Sequence, residues 1–303
     1  MQKSLNPNVL KRAHTTLLLI RLEVRRPAVA GQFYEADPAR LKKSIEDCFL
    51  HPLGPQKIPP APKSDEEVAG LVSPHAGYIY SGPVAAHGYY YASSLLTPEL
   101  VVILGPNHWG LGSGVATVAG GVWRTPLGDL EVSVEDAKAL VKISGIVDFS
   151  EEAHRREHSI EVQLPFLQYI YDSKFKILPV SMLFQDKETA VEVGHAIAKI
   201  VKGRRCLIIA SSDLTHYESQ REAARKDAEF INAALSLDVL KLYGVIQRLD
   251  VSACGYGPIA ALMTAVNDLS LKRAELLKYA TSGDVSGDKS SVVGYASIRF
   301  CKG

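Results

Sequence analysis

The chain alternates between short, continuous apolar runs and longer amphipathic stretches. Val68-Ala-Gly-Leu-Val-Ser73, Leu100-Val-Val-Ile-Leu-Gly105 and residues 205–210 carry no polar alternation. Strands buried on both faces, and hence parallel and central, read this way. Further strands are predicted at 176–180, 274–279 and 291–300. A helix is predicted from Ala39 to about Leu50, with Asp37 as its N-cap and Pro38 in the first helical position. Others are predicted from Pro83 to about Ser94, and over 134–142, about 160–171, 188–201, 220–235, 238–248 and 257–268. The alternation describes an α/β protein.

Two stretches break the pattern. His51 to Lys63 holds five prolines and reads as a loop. Gly110 to Gly121 is glycine-rich, yet it lacks the Lys-Ser/Thr ending of a P-loop and opens no helix with a clean GxGxxG. A hairpin with Val115–Val118 as a strand is the expectation there. Residues 1–24 read as an N-terminal extension, with room for a late-docking strand, and residues 25–303 as a single domain.

Composition narrows the function classes. The 303 residues are 47% apolar and 22% charged, ordinary for a globular protein, and the net charge is +1. That balance excludes a dedicated nucleic-acid surface. Cys48, Cys206, Cys254 and Cys301 lie far apart with no CxxC pair, so neither a disulfide framework nor a zinc ribbon is expected. A reducing cytoplasm is the simplest location. The apolar run Leu17–Ile20 is too short to span a membrane.

Three apolar strands end alike: a sharp polar turn, then a histidine. His75 follows Ser73-Pro74, His108 follows Pro106-Asn107, and His216 closes Ser211-Ser-Asp213-Leu-Thr-His216. Ligands of open α/β sheets bind beyond the carboxyl ends of the strands. If the three strands are neighbours, three imidazoles and Asp213 converge on one spot, which points to a metal site. Cys254, in Ala253-Cys-Gly-Tyr256-Gly-Pro258 before an apolar helix, could be a thiolate with a lowered pKa. The glycines flanking Tyr256 allow close backbone approach to a ligand. Asp213, three residues before His216, is placed to orient that ring or to share a substrate proton. Glu157-His158-Ser-Ile-Glu161 has two readings: helix capping by Ser159 and Glu161, or His158 reaching into the site. Arg124 is a candidate anion holder and Tyr78 a cleft wall. His87 has a modest case, whereas His14, His51, His154 and His195 are expected in solvent.

In order along the chain, Pro74-His-Ala-Gly-Tyr78, Leu104-Gly-Pro-Asn-His108, Arg124-Thr-Pro-Leu-Gly-Asp129, Glu157-His-Ser-Ile-Glu161, Ser211-Ser-Asp-Leu-Thr-His216 and Cys254-Gly-Tyr-Gly-Pro258 resemble the Memo family. Arg26-Pro-Ala-Val-Ala-Gly-Gln-Phe-Tyr34 fits as well, so the likeness runs from about residue 25 to the end. The resemblance implies the fold of class III extradiol dioxygenases: a central mixed, mostly parallel sheet flanked by helices. It implies metal ligands at His75, His108 and Cys254, where the dioxygenases have a carboxylate as third ligand. His216 corresponds to their acid–base histidine, with Asp213 beside it, and Tyr78, Arg124, His158 and Tyr256 are substrate-side candidates. Iron(II) or copper is the implied metal. Members have been linked to oxidase-like activity and to phosphotyrosine peptides, and prokaryotic ones accompany AMMECR-type and radical-SAM proteins.

Three functions follow as expectations. The first is a non-haem redox metalloenzyme, dioxygenase-like or oxidase-like, with a His₂Cys centre. The second is a non-catalytic module that holds a phosphorylated or acidic peptide in the old cleft. The third is nucleophilic catalysis by Cys254 with His75 or His216 as base.

Overall fold

A computed structural model describes residues 23–60, 62 and 68–303. Most of the expected N-terminal extension, residues 1–22, lies outside the described residues, as does part of the proline-rich loop. The chain opens with β1 (Val24–Arg25), α1 (Pro38–Leu50), β2 (Val68–Ser73), α2 (Tyr78–Ser93) and β3 (Leu100–Pro106). There follow β4 (Val115–Thr117), β5 (Val122–Thr125), β6 (Gly128–Glu131), α3 (Val134–Ser144), β7 (Asp148–Phe149) and α4 (Glu152–Arg155). A 3₁₀ turn (Glu161–Gln163) leads into α5 (Leu164–Tyr171), β8 (Lys176–Met182), α6 (Lys187–Val201), β9 (Cys206–Ser211) and β10 (His216–Glu218). The chain closes with α7 (Gln220–Leu235), α8 (Val239–Leu249), α9 (Tyr256–Asp268), β11 (Arg273–Thr281), α10 (Ser282–Ser286) and β12 (Val292–Cys301).

The main sheet is mixed. Its centre, in the order β2-β9-β3-β8, is parallel throughout. Antiparallel neighbours flank it, β12 beside β2 and β4 beside β8. Two apolar layers explain why the central strands carry no alternation. Ala69 and Leu71 of β2, Val101 and Ile103 of β3, and Leu207 and Ile209 of β9 pack on one face with residues of α1, α2 and α5. Val68, Val72, Val102, Leu104, Ile208 and Ala210 pack on the other with α6, α7 and α9. With both faces covered, every position of the strand must be apolar or small. Among the described residues no helix is long and apolar enough to cross a membrane.

Three elements differ from the sequence expectation. Helix α2 begins at Tyr78 rather than Pro83, so Pro83 sits inside it. The turn before the proline is held by Tyr80 and Ser81 donating to the Gly77 carbonyl, and burial of Ser81 to Ala86 outweighs the lost bond. The expected hairpin at Val115–Val118 is instead a single strand, β4, held between β8 and β7 near the edge of the main sheet. The hairpin lies later, between β5 and β6, where Gly128 takes a positive φ of 127° that a side chain would resist. This β5–β6 pair joins β1 in a separate three-stranded sheet.

Candidate metal centre

Strand order decides the site. β9 runs between β2 and β3, so the loops after all three leave the same end of the sheet side by side. Ser212 donates its backbone N–H to the Ser73 carbonyl and ties two of these loops together. The third wall is the segment 157–161. It reaches the end of β3 because Gly105 has no side chain: a Cβ there would stand 2.4 Å from the Ser159 hydroxyl. That hydroxyl donates to the Pro106 carbonyl at 2.9 Å.

His75, His108 and His158 come together here. One ligand atom from each lies within 4.8 Å of the others. The rings meet edge-on for His75 with His108 and with His158, both at 5.3 Å between centroids, and stack at 4.7 Å for His108 with His158. His75 is buried, His158 half-buried and His108 exposed, so the cluster opens toward solvent at His108.

Neighbours fix which nitrogens are free. The Ser211 hydroxyl donates to the Ser159 carbonyl at 2.7 Å and receives the Gln163 amide at 2.8 Å. Its proton is spent, so its 2.8 Å contact with His75 Nδ1 must be donated by the ring. Gln163 is held in turn by the Tyr89 hydroxyl and the Pro74 carbonyl. His108 Nδ1 lies 2.9 Å from Glu157 Oε1, and its backbone N–H donates to Oε2. A carboxylate that receives an N–H leaves Nε2 bare. This is how metal-binding histidines are oriented. Burial would raise the Glu157 pKa, but the hydrogen bond from His108, the charges of His108 and His158 and the Ser159 N–H hold it at about 2. Burial drives His75 well below its usual range, helped by the charges of His158, His108 and His216, and lowers His158 to about 4. Both shifts favour neutral, lone-pair-bearing imidazoles at His75 and His158.

The other predicted residues divide. Cys254 stands at the edge of the cluster, its Sγ 3.2 Å from His75 Nε2 and receiving the Asp213 N–H at 3.3 Å. Burial and the Asp213 carboxylate raise its pKa, the reverse of the thiolate expected from its place before a helix. The structure thus groups His158, expected as a substrate contact, with His75 and His108, and leaves Cys254 beside them. Asp213 is buried and accepts the His75 backbone N–H at 2.8 Å, so it fixes the His75 turn. Burial pushes its carboxyl up to about 6. It does not hold the ring of His216, whose Nδ1 donates to the Ser252 carbonyl at 2.9 Å. His216 Nε2 is therefore the bare nitrogen.

Tyr78 is a core residue that donates to the Val162 carbonyl and packs on Phe166. Tyr256 opens α9 with its ring edge-on to Tyr243. Arg124 lies on β5, in the three-stranded sheet, and is bound twice by Asp129, at 2.7 and 2.8 Å. Two of its donors are engaged there. His154, expected in solvent, is fully buried and lies edge-on to Trp123, its Nε2 on the Ala116 carbonyl. Ser159 and Glu161 cap nothing. Ser159 serves the site, and Glu161 binds the N-terminal segment through Arg25, Ala28, Val29 and Tyr34. Reading the sequence missed Glu157, Ser211 and Gln163. Only Glu157 left a signal, as an acid directly before a candidate histidine.

The chain has known relatives. A solved structure from Escherichia coli K12, of an uncharacterized protein, superposes with a TM-score of 0.52 at 15% identity, covering 76% of this chain and 98% of that one, which speaks for the fold. A MEMO1 family protein of Methanopyrus kandleri is 53% identical over 281 residues, 92% of this chain and 99% of its own. One of Methanothermobacter thermautotrophicus is 50% identical over 277 residues, 91% and 99% of the two chains. One of Sulfurisphaera tokodaii is 50% identical over 282 residues, with the same two shares. The family model described as Memo-like protein matches residues 25–299, and with relatives this close over nearly their whole length the chain belongs to the Memo family.

Proposed function

We propose that the chain is a non-haem, metal-dependent redox enzyme whose centre is built on His75, His108 and His158, with Cys254 as an adjoining soft donor. The observation that carries this reading is the donor set: three ligand atoms within 4.8 Å, with the Nδ1 protons of His75 and His108 committed to Ser211 and Glu157. Imidazoles with a thiol at the edge suit iron(II), copper or zinc better than the hard cations. Iron(II) or copper held there would supply the redox chemistry toward oxygen that no side chain offers.

The chain's own groups do the rest. Glu157 and Ser211 hold His108 and His75 in register, and Asp213 fixes the turn that carries His75. Phe33 lies edge-on to His158 at 4.8 Å and keeps water from that ring. His216 takes a substrate proton at Nε2, because Ser252 holds the proton of Nδ1. The cysteine-nucleophile alternative loses ground, since desolvation and the Asp213 carboxylate raise the pKa of the half-buried Cys254 thiol. The peptide-binding alternative is weakened, since Arg124 lies in the separate three-stranded sheet and is already paired with Asp129.

Elemental analysis of protein purified without oxygen tests the reading. About one equivalent of iron or copper per chain is expected, lost in a His75→Ala/His108→Ala double variant. His216→Gln should keep the metal while losing oxygen consumption with reducing substrates. A parent protein that holds neither metal and takes up neither on addition overturns the proposal.

A further inference from the structure

A second guanidinium stands at the site itself, where Arg124 does not. Arg156 is exposed and directly precedes Glu157, the carboxylate that binds both the backbone and the ring of His108. Its guanidinium lies 3.8 Å from the centroid of the Trp109 ring, and Trp109 directly follows His108. The stack thus bridges the two segments that meet at the His108–Glu157 bond, at the side where the cluster opens to solvent. Trp109 is 47% exposed, yet its loop is fixed. The buried Asn107 accepts the N–H groups of Trp109 and Gly110 at 3.2 and 3.0 Å and donates to the Leu111 carbonyl at 2.7 Å.

Charge completes the picture. Among the described residues no carboxylate lies within ion-pair distance of Arg156, whereas its neighbour Arg155 is paired with Glu152 at 3.2 Å. Stacking on an indole occupies the face of a guanidinium and leaves the N–H donors in its plane free. Those donors match a planar carboxylate in a two-bond fork. The indole offers an apolar wall beside that fork, which suits an aromatic ring attached to the carboxylate.

We propose that Trp109 and Arg156 form a subsite for an aryl carboxylate at the mouth of the His75–His108–His158 cluster. The carboxylate pairs with the edge of the guanidinium, and the ring points toward His108. The subsite rests on the cluster being the reaction centre, and it names the substrate class of that centre as small aromatic acids.

The protein supplies its own reporter. It has two tryptophans, of which Trp123 is 2% exposed and Trp109 lies at the subsite. Indole emission is followed while metal-free and zinc-loaded protein are titrated with 4-hydroxybenzoate and, separately, with phenol. The acid should change the emission saturably, and phenol should bind at least about tenfold more weakly. Arg156→Gln should bring the acid down to the affinity of phenol at an unchanged melting temperature. Arg156→Lys keeps a charge without the fork and should fall between the two. Equal affinity for acid and phenol in the parent, unchanged acid affinity in Arg156→Gln, or no saturable response to the acid in either form of the parent overturns the subsite. Discrimination by Arg156 in protein shown to bind neither iron nor copper retires the redox reading and leaves the subsite standing.

Discussion

Glu157 and Glu161 lie four residues apart on one segment, and both are buried. They differ in what they receive. Glu157 takes the N–H groups of His108, His158 and Ser159 and the Nδ1 proton of His108, so its charge is turned toward the histidine cluster. Glu161 takes the Arg25 guanidinium, the N–H groups of Ala28 and Val29 and the Tyr34 hydroxyl. Arg25 also donates to the carbonyls of His154 and Glu157 and lies over the Trp123 ring. One end of the segment orients a histidine of the cluster, and the other fastens residues 25–34 to the domain. A buried carboxylate is affordable in either setting, because each is surrounded by donors.

The contrast is broken most severely by removing the acid that faces a full charge. Glu161→Ala leaves Arg25 buried, at 8% side-chain exposure, without its counter-ion. The expected loss is about 3–5 kcal/mol of unfolding free energy, read by chemical denaturation. A loss below about 1 kcal/mol would mean that the N-terminal segment is not fastened by this pair.

Glu157→Gln should act on the other property. A carboxyl held at about 2 in the folded protein contributes stability that is present above its unfolded value near 4.5 and lost as the pH falls through 2. The parent should therefore lose roughly 2–3 kcal/mol more than the variant between those two pH values. At neutral pH the variant should bind metal about 10–100-fold more weakly in competition with a chelator, because His108 loses its carboxylate partner. Unchanged metal affinity would reduce Glu157 to a loop-holding acid like Glu161.

How much of this was visible in the sequence follows from the range of each interaction. The central strands declared themselves through local composition, and the prolines before His75 and His108 marked rigid strand ends. The strand order β2-β9-β3 was only a supposition, because pairing is set by partners more than a hundred residues away. Ring orientation was invisible for the same reason: Ser211 meets His75 across 136 positions, and Glu157 meets His108 across 49. Local context misled outright at His154. Its charged neighbours suggested solvent, yet the short α4 turns its ring under Trp123. Glu161 looked like a first-turn acid because its four donors, residues 25 to 34, lie more than a hundred positions upstream.

The mildest test touches one donor of the four. Tyr34→Phe removes a single hydrogen bond to Glu161, 2.6 Å long, and leaves the ring in place against Tyr78. Glu161 keeps three donors, so no buried charge is stranded and the cost should be about 0.5–1.5 kcal/mol. Metal affinity should not change, because the donors to the two carboxylates share no side chain. Tyr34 itself has a route by which it could: Phe33, next in the chain, lies edge-on to His158. If Tyr34→Phe weakens metal binding as well as stability, the two ends of the segment are mechanically linked through Phe33. The fastening of the N-terminal stretch would then be part of the site. If only stability moves, Glu157 and Glu161 are independent, and the five-residue segment carries two separable devices.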